Sequence, residues 1–207
     1  MNDSDVITPV KDVWLRPRRV FRELATRPIG AGDVVLASLQ GMADYVTLAR
    51  LHVGEPRPTP AEVLTGSLLL GPLVGLIATA FWAFLYSNMG KRLGGKAGFA
   101  PVFHVLSYGA VPRAATLLVW VGIALIVGDA AFVAVPPAGT DTFVVVLLRA
   151  QTIASFLAMA WAWLLQVMGL SEVFDFKLSK AFGLWFSGQL IVGVLAFIAL
   201  NLTGEMR

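Results

Sequence analysis

A chain of 207 residues that is 57% hydrophobic and only 14% charged, with a mean hydropathy of +0.75, holds more apolar surface than one soluble core can bury. Soluble domains carry roughly a quarter charged residues, so acyl chains are the expected solvent. The net charge is +3 and cysteine is absent, which excludes disulfides, thiolate metal sites and thiol nucleophiles.

Residues 1–32 form a basic tail with no apolar core of signal-peptide type, so the spans themselves are expected to direct insertion. Pro17 suits the first turn of a helix, where its missing N–H costs nothing. Behind it Val20, Phe21, Leu24 and Ala25 share one face, while Arg18, Arg19 and Arg22 fall elsewhere. This pattern predicts an amphipathic helix lying in the membrane interface, with Trp14, Arg18, Arg19, Phe21 and Arg22 at the lipid boundary. Its bases would meet anionic headgroups at about 1 kcal/mol each. The alternative is a solvated basic helix that only sets topology.

A spanning helix needs about 20 mostly apolar residues. Four stretches meet that test, 63–87, 102–127, 143–170 and 181–202, and a weaker one, 34–51, carries Asp44 and ends near Arg50. The alternative for that first stretch is a surface helix. The expected fold is all-α: five transmembrane helices preceded by the interfacial helix, with 203–207 as an external tail. The segment from Gly54 to Pro60 is too proline-rich for helix, and Gly128 to Asp141 also reads as a loop. Gly94-Gly95, among Lys91, Arg92 and Lys96, reads as a tight turn, with a phosphate cradle as the lesser alternative. Ser179 is placed to cap the last helix.

Lys and Arg in short loops set orientation. Lys11, Arg16, Arg18, Arg19, Arg22 and Arg27 in the tail join Lys91, Arg92, Lys96, Lys177 and Lys180 on one side. The other side has Arg57 and Arg207. This split predicts a cytoplasmic N-terminus, an external C-terminus and an odd number of spans, in a cell inner membrane.

Charges inside apolar stretches cost about 2.5–3.5 kcal/mol at the centre and therefore find partners. Asp44 and Arg113 lie at matching depths in spans that run the same way, and Arg149 descends from the outer side toward a similar level. These three are the candidate intramembrane cluster. In one reading Asp44 and Arg113 pair and fix helix packing. In the other, one acid against two bases leaves positive charge for an anion or lipid headgroup, with Gln151, Gln166, Tyr45 and Tyr108 available to line the site. Small residues recur every four positions at Ser67, Gly71, Gly75, Thr79 and Ala83, and again at Ala150, Ala154, Ala158 and Ala162. Such stripes let helices approach closely, which marks Gly71, Gly75, Ala154 and Ala158 as packing residues. Pro72 and Pro112 are expected to bend their helices.

No P-loop, Gly-x-Ser-x-Gly elbow or intramembrane aspartate pair occurs. His52 and His104 have no ligand spacing, so each reads as a hydrogen-bonding residue near the membrane edge rather than a metal ligand.

Several motifs occur in order: Trp-Leu-Arg-Pro-x-x-x-Phe-x-x-Leu (Trp14 to Leu24), a Gly-Gly turn followed by Phe (Gly94, Gly95, Phe99), Tyr-Gly-Ala-Val-Pro (Tyr108 to Pro112), Gly-Leu-Ser-Glu-Val (Gly169 to Val173) and Leu-Ser-Lys-Ala (Leu178 to Ala181). Around five spans, this arrangement resembles the Yip family, named for binding Ypt/Rab-type GTPases, and in particular its short bacterial branch. The resemblance covers nearly the whole chain. It implies five transmembrane helices, a cytoplasmic N-terminus, no enzymatic activity and no cofactor or metal. Eukaryotic members act in vesicle traffic and membrane shaping through a longer cytoplasmic N-terminal region. The tail here departs from that, so a Rab-type GTPase is not an expected partner. The expected role is membrane organisation, or service as a membrane-embedded adaptor or accessory subunit. Expected partners are anionic membrane lipids and another membrane protein, with no nucleic acid. The alternative is a small transporter, or an anion- or lipid-binding protein using the Asp/Arg cluster.

Overall fold

A computed structural model describes residues 4–50, 59–128, 131 and 140–203. Most of the two expected loops, with His52 and Arg57, and the tail 204–207 lie outside the described residues. The described residues form eight helices and no strand: α1 (Ser4–Leu15), α2 (Pro17–Leu24), α3 (Ala31–Arg50), α4 (Pro60–Arg92), α5 (Phe99–Gly109), α6 (Val111–Val127), α7 (Thr142–Phe174) and α8 (Leu178–Thr203).

Local chemistry explains where they begin and end. At the start of α4 the Thr59 hydroxyl accepts from the Glu62 amide at 3.3 Å, and the Glu62 carboxylate accepts from the Thr59 amide at 2.7 Å. This reciprocal capping box satisfies two orphan donors. At its other end Gly94 takes φ +86°. Its amide donates to the Lys91 carbonyl and the Gly95 amide to the Gly90 carbonyl, both at 2.9 Å. Those bonds use the two N–H groups that a phosphate cradle would need, so the Gly-Gly pair is a helix stop. Asp175 ends α7 in the left-handed region, where acidic and amide side chains are tolerated. The expected cap at Ser179 is corrected: α8 begins at Leu178, which puts Ser179 inside the first turn.

Pro112 marks a break rather than a bend. The third apolar stretch divides at Ala110 into α5 and α6, with Pro112 at the start of α6, where no N–H is required. Pro72, by contrast, lies within an unbroken α4. The helices overrun the expected spans, because backbone hydrogen bonding continues past the apolar stretch. Four stretches are long and apolar enough to cross a membrane: Pro60–Arg92, Phe99–Val127, Thr142–Phe174 and Leu178–Ile198. At 20 residues α3 has the length, but Asp33, Gln40 and Asp44 dilute its apolar character.

The most extensive contact in the bundle is between α3 and α4. Ser67, Gly71, Gly75, Thr79 and Ala83 all lie on the buried face of α4. A side chain at Gly71 would collide with Met42, and one at Gly75 with the backbone of Ala37 and Gly41. Gly41, on the facing surface of α3, is equally crowded by Gly71 and Gly75. The α7 stripe behaves differently. Ala162 is buried and Ala158 half-buried, but Ala154 and Ala150 are exposed, with no helix of the described residues over them.

Two apolar clusters form the core. One gathers Val13, Val20, Phe21 and Leu24 with Val105, Leu165, Leu170 and Phe174, and the other gathers Ala43, Val46, Val63, Trp120, Ile123 and Leu148. Outward-facing positions such as Leu118 and Leu125 are largely uncovered, the latter 81% exposed. This is the inverse of a soluble surface.

The apolar face of α2, expected to enter lipid, is covered by this chain instead. Its Phe21 is fully buried in the first cluster, where it approaches Gly169 of α7, so this ring packs under the bundle instead of entering lipid. The physical reason is that the bundle end offers the same hydrocarbon as a bilayer, already ordered. Trp14 remains 42% exposed, and Arg18, Arg19 and Arg22 point outward.

Candidate functional site

Between the two apolar clusters lies a polar layer. Asp44 of α3 and Arg113 of α6 meet there, the guanidinium Nη2 donating to Asp44 Oδ1. Gln40 lies one turn before Asp44 on the same helix face and lines one of the two cavities that border the pair. Thr116 lies one turn beyond Arg113, its hydroxyl donating to the Arg113 carbonyl at 2.7 Å. Asp44 and Arg113 keep 30% and 25% of their side chains exposed, because each borders a cavity on two sides.

One cavity, of about 330 Å³, opens between α3, α6 and α7 against Trp120, Phe156 and Met159, with Thr47, Thr152 and Ser155 at its edge. The second, of about 230 Å³, lies where α3, α4, α7 and α8 converge and is lined by Gln40, Tyr86, Gln166 and Gln189 together with Trp82 and Trp163. Asp44, Arg113 and Met159 border both. A hydrogen-bonded network braces the second cavity. Gln189 Nε2 donates to the Tyr86 hydroxyl at 3.2 Å, that hydroxyl donates to the Trp185 carbonyl at 3.1 Å, and Trp185 Nε1 donates to Gln166 Oε1 at 3.1 Å.

Arg149 is not part of this arrangement: it is exposed on α7 and borders neither cavity. Without it the layer has one acid against one base, so the expected excess of positive charge does not arise. Gln166 lines the second cavity. Gln151 is buried beside the first, donating to the Ser155 hydroxyl at 3.1 Å. Tyr45 packs on Gly66, and Tyr108 is buried in the first apolar cluster. Gln40, Tyr86 and Gln189 were missed by sequence reasoning. Gln40 had a signal, its four-residue spacing from Asp44, whereas Gln189 had none, since only tertiary packing brings α8 to the site.

A second buried polar contact was also missed. His104 of α5 sits with Nδ1 2.6 Å from Asp33 Oδ1, and its Nε2 donates to the Arg27 carbonyl at 3.0 Å. Asp33 Oδ2 in turn accepts from the Gly30 amide at 2.9 Å. The contact ties the α2–α3 connection to α5. Among the described residues no three His, Asp or Glu side chains gather as a metal site.

At the end of the bundle where α2 docks, Glu172 of α7 receives Arg22 at 2.8 Å and Arg18 at 3.6 Å. The hydrogen bond from Arg19 holds the Glu23 carboxyl below its ordinary range. Phe174 packs against Gly90 and Gly95, and Lys180 Nζ donates to the Leu93 carbonyl at 2.7 Å. These contacts bring α2, the 91–96 turn and the 177–180 turn together. The eleven Lys and Arg residues of the tail and these two turns are all exposed.

No curated protein and no solved structure matches the chain. A family model, the Yip1 domain, matches residues 11–200. That match takes in α2, the polar layer and every apolar helix, and with four helices fit to cross a membrane the chain is an integral, multi-pass membrane protein that belongs to the Yip family.

Proposed function

We propose that this chain is a non-catalytic protein of five spans, α3 included, whose cytoplasmic end organises anionic lipid and acts as a membrane-embedded adaptor for a partner membrane protein. One observation carries the reading: α2 is anchored by the buried Phe21 and by Glu172, so its arginines are held outward at the end where eleven exposed bases gather. Bases near a membrane surface attract anionic headgroups and resist translocation, which favours this end as the cytoplasmic one. The competing reading, a small transporter or anion-binding protein, loses its charge argument with Arg149 outside the layer.

The absence of cysteine gives a clean background for testing orientation. A Thr26→Cys variant should react with an impermeant maleimide only after cells are permeabilised, and Ala61→Cys should react from outside. The reverse pattern would overturn the orientation. In liposomes of mixed composition the protein should enrich a fluorescent anionic lipid around itself. At about 1 kcal/mol per base, replacing Arg18, Arg19 and Arg22 by Gln should cut that enrichment at least tenfold. Unchanged enrichment would remove the lipid-organising role.

A further inference from the structure

We infer that the two cavities form one site for a neutral single-chain amphiphile, its hydroxyl-bearing head held between Gln40 and Arg113 and its alkyl chain lying against Trp120, Phe156 and Met159. The site goes beyond the adaptor reading and uses none of the bases on which that reading stands.

The charge balance selects a neutral ligand. Asp44 and Arg113 cancel, and Arg149 lies elsewhere. An anion would face the Asp44 carboxylate, and a cation would face the guanidinium.

The hydrogen bonds left unmade select a hydroxyl. Gln40 lines the second cavity beside Asp44 and Arg113, and its amide oxygen can only accept. That Oε1 is buried and has no partner among the described residues. Arg113 has five N–H groups and donates to Asp44. Among the described residues its guanidinium makes no bond beyond the one to Asp44. A phosphate dianion accepts only and leaves Gln40 Oε1 unmet, while an ammonium donates only. A hydroxyl does both, donating to Gln40 and accepting from Arg113. Leaving a buried acceptor unmet costs free energy, so the occupied state is favoured.

The larger cavity suits a chain. At the ~30 Å³ that one water takes up in the liquid, about 330 Å³ has room for roughly ten small groups. The hydroxyls of Thr116 and Thr152 are bonded to carbonyls of their own helices, so apart from Asp44, Arg113 and Ser155 the wall offers mainly Ala43, Trp120, Phe156 and Met159. Phe156 is itself exposed, so the cavity opens sideways between α3, α6 and α7, toward acyl chains.

The test uses the full chain in lipid nanodiscs, since maltoside detergents are themselves hydroxylated single-chain amphiphiles. A twelve-carbon monoacylglycerol with a diazirine near its chain end is photolysed and the labelled peptides are mapped. Label should concentrate on α6 and α7 around Trp120 and Phe156. Unlabelled monododecanoylglycerol should displace it, and dodecyl phosphate and dodecylammonium should compete at least tenfold less well. Gln40→Leu should weaken labelling at least tenfold and Met159→Trp, which fills the junction, should abolish it. Leu125→Ala on the lipid-facing surface should change nothing. The competition series needs no variant, so it stands even where a substitution impairs folding. Equal competition by the phosphate or the ammonium, label spread evenly over lipid-facing residues, or no label overturns the proposal.

Discussion

At the scale of single residues, the buried contact between Asp33 and His104 ties a connecting segment to the bundle. The Arg27 carbonyl can only accept, so His104 Nε2 carries a proton, and a second proton is shared between Nδ1 and Asp33. Replacing Asp33 with Ala would strand the buried imidazole nitrogen and take its partner from the exposed Gly30 amide. A buried group left unmet costs about 1–3 kcal/mol. The variant should therefore melt several degrees lower, at ~2–4 °C per kcal/mol for a chain of this size, with Asp33→Asn between it and the parent. Thermal unfolding followed by circular dichroism in nanodiscs measures this, and coincident curves would show that the contact adds nothing. His104 was legible as a hydrogen-bonding residue but its partner was not: an acid in the first turn of a helix is ordinary, and Asp33 is 71 residues away. Asp44 and Arg113 were legible because charges inside apolar stretches are costly and their depths follow from helix rise.

At the scale of elements, the sequence of α2 shows an apolar face but not what covers it. A bilayer and a bundle end offer the same hydrocarbon, so Val20, Phe21 and Leu24 fit either. Packing decides: Phe21 is fully buried in the cluster to which α1, α5 and α7 contribute, and Glu172 receives two arginines from outside. The two anchors differ in strength. Truncating a buried Phe to Ala costs about 3–5 kcal/mol, while an exposed ion pair is worth about 0–1 kcal/mol. Phe21→Ala should release α2 and speed trypsin cleavage at Arg18, Arg19 and Arg22 roughly hundredfold, since cleavage follows the open population. Glu172→Gln should change the rate only a few-fold. If Glu172→Gln proved the more damaging, the helix would be held by charge rather than by packing. The α4 stripe shows a similar limit. Small residues every four positions revealed the close face of α4, yet the same pattern on α7 leaves Ala154 exposed, because spacing cannot say which helix arrives.

At the scale of the molecule, the apolar helices were visible because hydrocarbon thickness sets their length. Their overhangs were not, since polar turns past the membrane edge carry no apolar signal. The place of α3 belongs to the whole chain. Taken alone it must bring Asp44 toward hydrocarbon, a penalty on the order of 3 kcal/mol at the centre of a span. Inside the bundle that carboxylate meets Arg113, and Gly41 meets Gly71 and Gly75 so closely that the two backbones nearly touch. Packing and pairing of this kind are what associate membrane helices when lipid is as apolar as the side chains. The segment Ala31–Arg50, placed alone in a glycosylation-based insertion reporter, should therefore insert poorly, and its Asp44→Leu variant should insert in the majority of chains. The hairpin that adds α4 should recover only part of the difference, because Arg113 enters with α6. Extension through α6 should restore insertion, and Arg113→Leu should cancel that gain. Should Ala31–Arg50 insert alone as efficiently as Pro60–Arg92, α3 would owe nothing to its neighbours, and the polar layer would have no part in placing it.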